Sequence, residues 1–174
     1  MTEQTADSQV DRGLGKWFIV LSQIVFLIVI VGGVVRISGS GLSIPEWPLI
    51  NGTLLPPTSE SEWLTVYKTY HREIEGIEVT EIVNEVQPGI IPFDEFRTMF
   101  SIEYFHRFLA ASFGLVFLLV FVKVMRSRAA RQRFGLVTFF AACLLLAQAI
   151  LGGIVVKTDL QAMLVAIHLG VAFF

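Results

Sequence analysis

Two uncharged apolar runs leave this chain few places to fold. Trp17 to Val35 is nineteen residues without a charge, and Phe134 to Val156 is twenty-three. With a helical rise of about 1.5 Å per residue, either run crosses most of a hydrocarbon layer of about 30 Å. Phe108 to Val122 is a third uncharged run, but a short one. It reaches spanning length only if it begins near Phe100, which draws Glu103, His106 and Arg107 into the bilayer or to its edge. A fourth apolar stretch runs from Leu160 to Phe174 with no basic flank or stop behind it, and reads as a helix cut short. A composition of 54% hydrophobic and 16% charged residues excludes an ordinary soluble domain and a disordered chain alike. The expected fold is an all-α membrane protein: an antiparallel four-helix transmembrane bundle, its fourth helix truncated, with a long extracytoplasmic loop. Its expected spans are 17–35, 100–122, 134–156 and 160–174.

Basic residues give the direction. The turn 123–133 carries Lys123, Arg126, Arg128, Arg131 and Arg133 with no acid, and is expected in the cytoplasm. Arg12 and Lys16 put residues 1–16 on the same side, diluted by Glu3, Asp7 and Asp11. Arg36 to Ile102 then lies outside, where its ten acids against four Lys or Arg belong. Span one is longer than a signal-peptide core and has no small-residue cleavage site behind it, and the first sixteen residues are not Arg-rich like a transit peptide. A bacterial plasma membrane, crossed several times with the N-terminus cytoplasmic, is the simplest address. The net charge of −2 argues against nucleic acid as a partner. Cys143 is the only cysteine, so neither an internal disulfide nor a cysteine-built metal cage can form.

The loop 36–99 has signals of its own. Ser59 with Glu62 is a capping-box pattern, opening a helix that Gly76 would close near Glu75. Asp94, after Pro92, looks like the cap of the helix that enters span two. Asn51-Gly52-Thr53 fits a glycosylation sequon but reads better as a turn. The Gly39 to Gly41 cluster lacks the spacing and lysine of a phosphate-binding loop.

Three histidines occur. His71 lies in a polar stretch and is expected at the surface. His106 and His168 fall inside spans, where an ionisable side chain is costly and marks function by default. His106 lies some six residues into span two, and His168 eight residues after Leu160. Both helices run inward, so the two imidazoles are expected at a similar depth. Spans two and four are diagonal in an up-down bundle, and neighbouring axes about 10 Å apart give a diagonal of roughly 14 Å. That gap admits an iron porphyrin between two imidazoles. Zinc would want three or four protein ligands, whereas haem iron needs only two axial ones. Either histidine alone is equally well explained as a hydrogen-bonded interfacial residue.

Glu103 is three residues before His106, one turn nearer the outside on the same face, where a carboxyl suits a proton carrier or pairs with a base such as Arg107. Arg107 is about 100° round the helix from His106 and need not share its partner. Arg36 and Lys157 end their spans and suit snorkelling to headgroups, with haem propionates as the other candidate. Gly32-Gly33 and Gly152-Gly153 hold equivalent places in spans one and three, where small residues allow close helix packing and leave room for a flat ligand. Gln148 and Gln23 are expected to hydrogen-bond between helices.

The segments GGVVRISGSGLSIPEWPLINGTLLPP, EYFHRFLAASFGLVF, AQAILGGIVVKTDL and AIHLGVAFF, in that order, resemble haem A synthases from about residue 17 onward. The resemblance implies two fused four-helix halves, each with a histidine pair, of which this chain is the N-terminal one. It implies oxidation of the C8 methyl of haem O to a formyl group, giving haem A for cytochrome oxidase, by two hydroxylations and loss of water. It further implies His106 and His168 as axial haem-iron ligands, Arg107 beside the cofactor and Glu103 as the required acid. Haem O would be the substrate in this half and haem b the cofactor in the other. Implied partners are haem O synthase, oxidase assembly factors and a second copy of the chain. Some family members carry a cysteine pair in the first outer loop; this loop has none, and its length resembles the proteobacterial and mitochondrial branch. A bis-histidine cytochrome b that only passes electrons is the alternative. A transporter or scaffold using its histidines as polar contacts is a third reading, and would bind no haem.

Overall fold

The computed structural model describes residues 3–50 and 52–173, with side chains from residue 13 onward. The charges before that point, Asn51 and Phe174 lie outside the described residues. Five α-helices and no β-strand occur among the described residues: α1 (Glu3–Ile37), α2 (Glu60–Tyr70), α3 (Phe93–Arg126), α4 (Arg128–Lys157) and α5 (Ala162–Val171). Within them Gly13–Ile37, Phe93–Arg126 and Arg128–Lys157 are long and apolar enough to cross a membrane, with mean hydropathies of 2.8, 2.4 and 2.4. Phe26 is 68% exposed and Leu136 71%, side chains that hydrocarbon solvates without cost and water would not. This is a membrane protein.

The helices pack in chain order, α1 along α3, α3 along α4 and α4 along α5, while α1 and α4 touch only lightly. At one end Leu14 and Leu21 of α1 meet Phe117, Val120 and Val124 of α3 and Ala130 of α4. Lys123 to Arg133, expected as a loop, is helical apart from Ser127. Ser127 ends α3 and caps α4, accepting a hydrogen bond from the Ala130 N–H at 3.3 Å. Helix-forming Ala, Arg and Gln on either side explain the continuation.

At the other end the long connection builds a second core. Ile44, Ile50, Val66, Tyr67, Tyr70 and Val79 close over Phe96 and Phe100, neighbours one turn apart on α3. This contact explains why α3 starts at Phe93, well before the apolar run. Pro92 takes the cap position expected of Asp94, because Asp94 and Glu95 already lie in the first turn, where the helix dipole favours them. The turn at Gly52 is present, with φ of 78° and Ile50 and Thr53 exchanging backbone hydrogen bonds.

α2 opens on the expected capping box and runs into a π-helical turn, His71–Glu75, which Gly76 closes at φ of 68°. His71 is fully buried rather than at the surface. Its Nε2 accepts from the Ile91 N–H at 3.2 Å, so Nδ1 carries the proton and donates to the Tyr67 carbonyl at 3.0 Å. The charged neighbours Arg72, Glu73 and Glu75 conceal this burial in the sequence. Tyr70 donates to Glu75 at 2.9 Å, and burial, aided by that carboxylate, pushes its phenol well above the usual range.

The capping box gives a pH test. Thr58 N–H, Ser59 N–H and the Thr58 hydroxyl donate to the Glu62 carboxylate and hold it below its ordinary value of 4.5. A lowered folded pKa means that the cap contributes fully above 4.5 and is lost as pH falls through the lower folded value. The amide resonances of Thr58 and Ser59 should therefore stay fixed down to that pH and move only below it. Movement at higher pH would contradict the cap.

Candidate functional site: two imidazoles against two glycines

His106 leaves α3 on the side facing α1 and lays its ring over Gly32. A Cβ built on Gly32 would stand 3.0 Å from Cε1, 3.6 Å from Nδ1 and 3.7 Å from Nε2. His168 leaves α5 on the side facing α4 and meets Gly152 in the same way, at 3.4 Å from Cε1 and 4.0 Å from Nε2. The two glycines lie at matching places, Gly32 four residues before Arg36 and Gly152 five before Lys157. Each Nδ1 is buried without a hydrogen-bond partner. Here the paired glycines give a ring access to the helix backbone, a contact any side chain at Gly32 would crowd.

Gln148 lies one turn before Gly152 on α4. Its Nε2 donates to the carbonyl of His168 at 2.9 Å, so it bridges helices as expected. Its Oε1 is buried and unpartnered, the third such side-chain atom among the described residues after the two imidazole nitrogens. Gln23 behaves differently. It lies exposed on α1 and lines a groove with Phe18, Ile19, Ser22 and Phe26.

Glu103 and Arg107 organise the adjoining strap of chain. The Glu103 side chain is 4% exposed, and its Oε2 accepts from the Ser43 hydroxyl at 2.8 Å and the Ile44 N–H at 2.9 Å. Its Oε1 pairs with the Arg107 guanidinium, one turn along α3. Arg107 also donates to the carbonyls of Ile44 and Glu46, each at 2.6 Å. Acid and base thus grip both sides of the Ser43–Glu46 backbone.

The strap then reaches α4. The Trp47 indole lies flat against Gly153, where a Cβ would stand 2.7 Å from Cε3 and 2.8 Å from Cδ2. Behind it Gly41 admits the Leu160 side chain, its would-be Cβ 3.0 Å from Cδ1, and so joins the strap to the turn between α4 and α5. Asp159 and Leu160 make that turn with positive φ, 51° and 55°. Sequence reasoning missed Ser43, Trp47 and Leu160. The available signal was Gly153, beside the imidazole-contacting Gly152, which Trp47 of the strap uses.

A family model described as cytochrome oxidase assembly protein (COX15-CtaA) matches residues 15–174. The chain belongs to that family. The match takes in Gly32, Glu103, His106, Gln148, Gly152 and His168. Among curated relatives, the heme A synthase of Nitrosospira multiformis is 35% identical over 171 residues, 94% of this chain and 45% of the relative. That of Wolbachia pipientis wMel is 38% identical over 146 residues, 84% of this chain and 39% of the relative. The chain therefore spans under half the length of these assembly-family relatives. No solved structure matches.

Opening a buried, hydrogen-bonded ion pair from one side costs about 3–5 kcal/mol, because the remaining charge is stranded. Glu103→Ala and Arg107→Ala should each lower thermal stability in detergent by amounts of that order. The double variant should lose little more than either single one. Full additivity would show that the two side chains act separately.

Proposed function

We propose that this chain forms a haem-binding half of a haem A synthase, in which haem O is held between α3 and α5 and oxidised at its C8 methyl to a formyl group. The observation that carries the reading is the state of the two imidazoles. Each rests on a glycine, and each has a buried Nδ1 with no protein partner. A buried polar atom left unpaired costs about 1–3 kcal/mol, so two at one site call for a ligand that engages these rings. His106 and His168 are the residues that would hold haem iron, since the macrocycle brings the other four ligands. The names of the curated relatives support the choice of substrate.

When bound, the porphyrin supplies the iron and the methyl group to be oxidised. The chain supplies position. His106 and His168 hold the ring from two helices, and Gly32 and Gly152 set how far each imidazole can withdraw. Glu103 and Arg107 hold Ser43–Glu46 so that Trp47 lies over α4 beside the site, screening it from water. In this reading Glu103 is a positioning residue, since its oxygens are taken by Ser43, Ile44 and Arg107. Haem b, as cofactor, belongs to the part of the relatives that this chain does not cover. The orientation read from the basic residues, N-terminus cytoplasmic in a bacterial plasma membrane, completes the proposal.

Protein purified from membranes and loaded with haem should show a low-spin bis-histidine spectrum. His106→Ala and His168→Ala should each abolish that spectrum, and an unchanged spectrum in either variant counts against the ligand pair. Pigment chromatography of the complete enzyme supplied with haem O should show haem A. Bound but unconverted haem O would favour a cytochrome that only passes electrons.

A further inference from the structure

The half-buried amide of Gln148 is left out of the reading above. Its orientation is fixed by the protein: the partner of the amide is the His168 carbonyl, which only Nε2 can serve, so Oε1 is turned away from it. That oxygen is buried and bonded to nothing. Within an apolar helix this is an uneconomical arrangement, for a Leu at the same place would leave no orphan. The three buried side-chain atoms without partners among the described residues are this oxygen and the two imidazole Nδ1 atoms. Gln148 stands one turn from Gly152 and is tied to the residue that contacts it, so the oxygen belongs to the neighbourhood of His168.

An orphaned amide oxygen is an acceptor and nothing else. We infer that Gln148 Oε1 accepts a hydrogen bond from an alcohol on the bound porphyrin and so selects a haem that carries a hydroxyl. The inference rests on the proposed function, which makes haem O the ligand. Haem O has a secondary alcohol on its farnesyl-bearing side chain, and haem b has none. The amide then has two tasks: Nε2 fixes the turn of α5 that bears His168, and Oε1 reads the edge of the ring. A site that satisfies a buried acceptor through a ligand hydroxyl discriminates against the ligand lacking it, because the acceptor is then stranded.

The test is equilibrium titration of the membrane-purified protein with haem O and, separately, haem b, followed by the visible absorption bands. Gln148→Met keeps the volume and removes both amide groups. It should weaken haem O about tenfold more than it weakens haem b, a tenfold difference being one net hydrogen bond. Gln148→Glu, whose neutral carboxyl again offers one donor and one acceptor, should recover most of the haem O affinity. Equal weakening of both haems by Gln148→Met would mean that the amide only holds α5, and would overturn the inference. So would no change for either haem, or failure of Gln148→Glu to recover affinity for haem O. Retained haem b affinity in Gln148→Met shows that the variant is folded. If the unaltered protein binds neither haem, or His106→Ala binds haem O as well as the unaltered protein does, the proposed function falls with the inference. A failure confined to Gln148 leaves that function standing.

Discussion

A buried carboxylate is tolerated only with donors around it, and Glu103 has gathered three. Ser43 and Ile44 come from the strap and Arg107 from the next turn of its own helix. The guanidinium is satisfied in turn by the carbonyls of Ile44 and Glu46. Neither charge is left uncompensated, and the chain between α1 and α2 is held against α3. Trp47 then reaches Gly153, and Leu160 reaches Gly41. One ion pair thus aligns the ends of α1, α3 and α4 around the imidazoles, and the geometry of the site depends on it.

The same rule applied to the other polar groups separates structure from ligand binding. His71 is as deeply buried as any residue, yet both of its nitrogens have backbone partners, and it ties α2 to Ile91. His106, His168 and Gln148 each keep one buried atom unpaired. A low-dielectric interior makes an unpaired polar atom expensive, so these three are the side chains that a ligand best explains. Burial alone would have singled out His71; satisfaction of hydrogen bonds singles out the other two.

What the sequence makes legible is what local chemistry decides. The long uncharged runs mark the three long apolar helices, Ser59 and Glu62 give the start of α2, and Gly76 closes the π-helical turn that follows it. The histidines were visible because an apolar span makes any ionisable group conspicuous. Contacts between distant segments were not visible. Gln23 and Gln148 have similar apolar surroundings in sequence, yet one is exposed and the other bridges to α5. Trp47 and Gly153 are more than a hundred positions apart, and nothing near either residue specifies the other. Arg107 was legible as a possible partner of Glu103, but its grip on the strap required the strap to be folded first.

The central claim is that both imidazoles bind one iron. Pulsed electron paramagnetic resonance of the haem-loaded protein, labelled with nitrogen-15 at histidine, reads the axial ligands directly. The account predicts nitrogen-15 couplings from two axial imidazoles, with one set missing when either His106 or His168 is replaced. A spectrum with one axial histidine, or with couplings indifferent to both replacements, would contradict it.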